Sequence, residues 1–163
     1  MKLFRSAIAI FLSVIICPSA FAITDTVTIN VSGTLTRSSC KMTSSKALSV
    51  DFGSLRYDQV ASGPIIPVPI TLTCPANSSL SISVKASNAI SGSTTQAATD
   101  KENLAYSLTW NRDGSPVDIT GSKKTLTKQD GTVDLGMKAK LVAIGTLSEG
   151  TFSASTVVNI EYL

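Results

Sequence analysis

The sequence predicts an all-β chain folded as a β-sandwich of immunoglobulin-like type, and three observations carry that prediction. Apolar residues recur at every second position in about seven to nine short runs, the period of a half-buried strand. Clusters of Gly, Pro, Asn, Asp and Ser separate the runs, as turns separate the strands of a sandwich. No stretch holds a sustained helical period, and there is no repeat or interdomain linker.

The first run is TDTVTINVSGTL, residues 24–35. Val27, Ile29, Val31, Gly33 and Leu35 fall on one face and Thr26, Thr28, Asn30, Ser32 and Thr34 on the other. Gly33 stands where the pattern calls for bulk, which in a strand marks a bulge or a close approach of other atoms. Two uses fit this strand: pairing within its own domain, or addition to the sheet of another chain. Burying Val27, Ile29, Val31 and Leu35 at roughly 1.5–3 kcal/mol each would supply enough to join two subunits. Alternation by itself leaves both uses open.

Leu48, Val50 and Phe52 alternate next and close on the turn residue Gly53. Residues 57–63 are polar and read as a loop. In IIPVPITLTC, Pro67 and Pro69 cannot donate to a ladder, so the first half belongs at an edge or outside regular pairing, and Ile70, Leu72 and Cys74 form the strand. Leu80, Ile82 and Val84 make a separate strand, and residues 88–103 read as a long loop. Leu104, Tyr106, Leu108 and Trp110 alternate before a turn at Asn111-Arg112-Asp113-Gly114. A short strand is expected at 125–129 and a longer one at 133–144, bent at Gly136. Phe152, Val158, Ile160 and Tyr162 share even register in the last run, 151–163.

Not all 163 residues belong to this fold. Lys2 and Arg5 precede an apolar run, 7–17, that ends in Ala20-Phe21-Ala22, the pattern of a secretory signal peptide over residues 1–22. The apolar run falls short of the ~20 residues that span a bilayer. Cys17 is not a lipidation site, because Ile15 and Ile16 stand where small residues belong. Removing the signal takes two of the 14 Lys and Arg and leaves 12 against 11 acids. That balance gives no argument for nucleic acid. Two cysteines remain, Cys40 and Cys74; an even count in an exported chain reads as one disulfide.

No residue set promises catalysis. The chain contains no histidine, which removes Ser-His-Asp and Cys-His arrangements. No Ser-x-x-Lys lies where a strand-to-helix turn would activate it. The acids are scattered, and Asn111-Arg112-Asp113-Gly114 lacks the remaining ligands of a calcium loop. Trp110 sits in an alternating strand and reads as core rather than as a sugar platform. The expectation is a chain that is not an enzyme, with no cofactor and no metal.

Several of these features together resemble one family. Gly33 in an alternating N-terminal stretch lies seven residues before Cys40; Cys40 and Cys74 are suitably spaced; Val50-Asp51-Phe52-Gly53 follows; and Tyr162 is penultimate. In this combination the mature chain resembles the pilin subunits of chaperone–usher fimbriae, of the type 1 and P pilus kind. The resemblance implies an incomplete immunoglobulin-like domain whose last strand is missing, over residues 37–163, after a donor-strand extension over 23–36. It implies that Val27, Ile29, Val31 and Leu35 enter pockets of a neighbour while Gly33 passes a constriction. Phe152, Val158, Ile160, Tyr162 and Leu163 would belong to the strand that borders the chain's own groove. The partners implied are a periplasmic chaperone, an outer-membrane usher and neighbouring pilins, and the destination is the cell-surface fimbrium. The length suits a major, minor or adaptor subunit rather than a two-domain tip adhesin. The rival reading is a self-contained secreted β-sandwich that binds a carbohydrate or protein.

Overall fold

The computed structural model describes residues 25–35 and 38–163. The expected signal peptide, residues 1–22, lies outside them. The chain divides into two units, Met1–Leu35 and Thr36–Leu163. Within the first, residues 25–35 carry no regular secondary structure, although their alternation predicts a strand. Their apolar members are bare: Val27 is 85% exposed and Val31 91%. A strand is completed by a ladder, and no ladder pair among the described residues includes this stretch.

The second unit is a sandwich of two four-stranded sheets in which every strand-to-strand ladder is antiparallel. The first sheet is built on β3 (Thr71–Ala86), flanked on one side by β6 (Thr120–Asp134). On its other side β3 pairs first with β1 (Lys41–Met42) and further along with β8 (Thr156–Tyr162). The second sheet runs β2 (Ile66–Val68), β7 (Met137–Ala143), β5 (Leu104–Trp110) and β4 (Gln96–Ala98). Leu72, Leu80, Ile82 and Val84 of β3 are fully buried, in one core with Leu108, Ala139 and Leu141 of the other sheet.

The register of β1 on β3, Lys41 opposite Thr73, continues one step to bring Cys40 opposite Cys74. The two cysteines are bonded across a Cα–Cα distance of 4.1 Å, and both are buried. The expected disulfide is therefore where the chain enters the sandwich.

Several elements differ from the sequence expectation, each for a local reason. Leu72 and Leu80 belong to one 16-residue strand rather than two, because bulges between Cys74 and Leu80, with Asn77 at φ +61°, absorb Pro75 without ending the ladder. Residues 57–62 form a short 3-10 helix rather than a plain loop, with Val60 as its buried member. Residues 88–103 contain β4, whose Ala97 is fully buried. The strand expected at 125–129 extends over Thr120–Asp134. The run expected as one strand over 133–144 is two strands in different sheets, β6 and β7, separated at Leu135-Gly136. A Cβ on Gly136 would stand 2.8 Å from the Asp134 carboxylate and 3.4 Å from the Val68 carbonyl, so the crossing is built for glycine. Residues 47–53 keep their alternation without a ladder, and the last run becomes strand only from Thr156. Val117 and Ile119, in a connection with no strand signal, are fully buried.

Trp110 is buried as core, with the Lys124 ammonium 5.3 Å from its ring centroid. The turn expected after it forms, Gly114 N–H donating to the Trp110 carbonyl at 2.9 Å and Gly114 at φ +69°.

Candidate functional site: an apolar groove beside the last strand

Strand β8 is hydrogen-bonded to β3 along one edge, from Leu80 opposite Tyr162 to Ala86 opposite Thr156. Its other edge pairs with no strand among the described residues. Beside that edge lies a groove of about 620 Å³. One wall is made by residues 152–158 and Ile160, the other by Ser45, Lys46, Leu48, Ser49, Val50 and Phe52. Its floor comes from the second sheet: Tyr106 and Leu108 of β5, Met137, Ala139 and Leu141 of β7, with Val68 and Ile70.

The local sequence accounts for these positions. The period of two in β8 turns Thr156, Val158 and Ile160 inward, half-buried, and Val157, Asn159 and Glu161 outward. Alternation also turns Val50 and Phe52 toward the groove from the facing wall, though that stretch has no ladder of its own. The Phe52 and Phe152 rings close one end, centroids 6.3 Å apart and tilted by 49°.

Of the residues that the family resemblance assigned to the groove edge, Val158, Ile160 and Phe152 line it, Phe152 from the connection that precedes β8. Tyr162 and Leu163 do not line it; Leu163 N–H donates to the Ser79 carbonyl at 2.9 Å. The floor residues were identified in the sequence as members of strands, but nothing in their order says that they share one cavity.

The other strand edges are blunted. β2 carries Pro67, which offers no N–H. β4 is covered by residues 88–90 through a bridge between Ala89 and Ala97 and a 2.8 Å bond from Ala98 N–H to the Asn88 carbonyl. β6 is interrupted by register shifts and carries Lys123, Lys124 and Lys128. β8 is the long regular edge left without such protection.

The carboxylates with shifted pKa values sit in turns and connections rather than in the groove lining. Among the described residues no group of three or more His, Cys, Asp and Glu side chains is placed to hold a metal. Three aspartates are held below the usual carboxylate range by hydroxyl and amide donors: Asp100 by the Ser153 N–H and then its hydroxyl, Asp113 by Ser115, Asp118 by Thr120. A lowered folded-state value means that the unfolded chain takes up the proton first. Stability is then complete above the ordinary aspartate range and declines as pH falls through it. Urea midpoints measured against pH should show that decline, and the triple variant D100N/D113N/D118N should show a shallower one.

A two-sheet sandwich with one unprotected strand edge and an apolar groove beside it is an immunoglobulin-like domain with room for a further strand. The sequence matches the model of the family described as fimbrial protein over residues 29–163. The chain belongs to the fimbrial protein family. That is a family of structural pilins and not one of enzymes. The fold is similar to the crystal structure of the P pilus rod subunit PapA, with TM-score 0.62 and 22% identity over 77% of this chain and 100% of that one. It is also similar to a subunit in the structure of a chaperone–usher pilus, with TM-score 0.61 and 21% identity over 85% and 96%. The P pilus adaptor subunit PapF matches with TM-score 0.57 and 19% identity over 77% and 96%. No curated protein matches the sequence.

Proposed function

We propose that this pilin polymerises by donor-strand exchange, lending residues 23–36 to one neighbour and accepting a strand in its own groove from another. The observation that carries the reading is the apolar groove beside the unpaired edge of β8. A strand laid there would extend the first sheet and cover Val158, Ile160, Leu108 and Leu141. The donor would be Val27, Ile29, Val31 and Leu35, whose side chains are exposed in this chain and share one face of an extended backbone. Gly33 gives that face a gap for the tightest point of a neighbour's groove. Main-chain bonds would supply affinity and alternate side chains register.

Before assembly the same groove would be filled by a periplasmic chaperone, which hands the subunit to the outer-membrane usher. The pilin domain is taken as residues 37–163 and the subunit as a building block of the surface fimbrium that supports adhesion. The exposed, unladdered state of residues 25–35 disfavours a self-contained sandwich that keeps its first strand.

The test is capture of a fluorescent peptide of residues 24–35 by the full chain. Binding should be saturable, and a charge in the groove wall, Ile160→Asp, should weaken it by at least tenfold. Burying an unpaired carboxylate among apolar side chains costs several kcal/mol, so a smaller loss is not expected. A chain that stays monomeric and takes up no pilin strand would overturn the reading.

A further inference from the structure

The connection between β7 and β8, residues 144–155, crosses from one sheet to the other without regular structure, and its last part forms the end of the groove. Residues 152–155 precede the β3–β8 ladder, so other bonds must fix them. Ser87, just past the end of β3, supplies two: its N–H donates to the Ser155 carbonyl at 3.0 Å and its hydroxyl lies 2.6 Å from the Ser155 hydroxyl. Three others converge on Asp100, in the turn of residues 99–103 between β4 and β5 of the opposite sheet. The Asp100 carboxylate accepts the Ser153 N–H at 2.6 Å on Oδ1 and the Ser153 hydroxyl at 2.7 Å on Oδ2. The Asp100 N–H in turn donates to the Ser153 carbonyl at 3.0 Å. Behind this contact Lys101 Nζ donates to the Glu149 carbonyl at 2.9 Å and Asn103 Nδ2 to the Thr146 carbonyl at 2.9 Å. A second tie between sheets lies one step along: the Tyr106 hydroxyl is 2.6 Å from Thr156 Oγ1 and donates to the Ser155 carbonyl at 3.3 Å.

We propose that Asp100 is a positioning residue for strand capture: its bonds to Ser153 hold the lead-in of β8 where an incoming strand can pass. The inference rests on the strand-accepting reading of the groove. With the groove empty, β8 has a ladder on one edge only, and its lead-in is flanked by apolar walls that gain by closing on each other. Polar ties from the opposite sheet oppose that closure by fixing the separation of the two sheets at this end. Charge-assisted bonds to a carboxylate suit the task, being shorter and stronger than neutral ones. Without them only a fraction of molecules holds an open groove, and apparent affinity falls by that fraction. Once a strand is seated, β8 is paired on both edges and the ties become redundant. Asp100 therefore acts on entry and not on retention.

The experiment follows capture and release of the fluorescent peptide of residues 24–35 by the full chain and its variants. Asp100→Ala should slow association by roughly fivefold, through the lost competent fraction, and leave dissociation within about twofold of wild type. Asp100→Asn keeps an acceptor for the Ser153 N–H and should restore most of the rate. If Asp100→Ala does not fold, Tyr106→Phe, which removes the second tie and keeps the ring, should show the same slowing of association. Unchanged association in the alanine variant, or an asparagine variant as slow as the alanine one, would leave Asp100 as a structural turn residue and overturn the proposal. A wild-type chain that captures no strand would remove the strand-accepting reading itself, a different result from equal capture by both proteins.

Discussion

The chain lacking residues 23–36, with its disulfide intact, should be poorly stable alone and should melt at a distinctly higher temperature when the peptide of residues 24–35 is added. The groove leaves Val158, Ile160 and Phe152 only half-buried, and a strand that covers them binds the native state alone. At a hundredfold excess over its dissociation constant, such a ligand adds about 2.7 kcal/mol. For a domain of this size that corresponds to a rise of roughly 6–10 °C in Tm. The measurement is a thermal scan at several peptide concentrations, since a bound ligand makes Tm depend on concentration. A response to the chain's own peptide would mean that one copy can follow another in the fibre. An indifferent domain that responds to a different pilin's strand would fit an adaptor position. A soluble, stable domain indifferent to every strand would leave the self-contained sandwich as the better account.

Removing the disulfide, in the variant C40S/C74S, is expected to be the most damaging change away from the groove. The bond spans 34 positions, for which the chain-entropy model gives about 3–4 kcal/mol. In Tm that is a loss of roughly 10 °C. The other ties at this end are hydrogen bonds of Thr43 and Ser44 to Thr71, with Met42, Val50 and Phe52 packed against the core. The strand it anchors, β1, pairs only Lys41 and Met42 with β3, and beyond it Thr43 and Ser44 N–H share the single carbonyl of Thr71. The wall formed by residues 45–52 follows directly, so loss of the bond should also weaken peptide capture. Urea unfolding of the oxidised chain and the double variant, with peptide binding in parallel, would measure both effects. A destabilisation under about 1 kcal/mol would mean that the entry strand is held by its packing, at odds with the entropy estimate.

How much was legible in the sequence varied with the kind of information each residue carries. β5 was read at its true bounds, because Leu104, Tyr106, Leu108 and Trp110 alternate without interruption and a glycine turn ends them. The disulfide followed from an even cysteine count in an exported chain. The missing N–H of Pro67 left an edge or a place outside regular pairing, and the structure has it on the edge strand β2. The long strands β3 and β6 were underestimated, since bulges at Asn77 and Lys128, both at positive φ, look like breaks to a period-two reading. β4 was missed because Gln96, Ala97 and Ala98 are too short and too small to show a period.

The sequence by itself determined the all-β class, the exported state, the absence of histidine chemistry and the alternating stretch at the N-terminus. These depend on composition and on neighbours along the chain. Only the tertiary structure decided that β6 and β7 lie in different sheets, that residues 45–52 face β8 across a groove, and that Asp100 meets Ser153 from 53 positions away. Each of these is a relation between residues distant in the chain, set by which faces can be buried together. Alternation names the face that a strand buries; it does not name what the face is buried against.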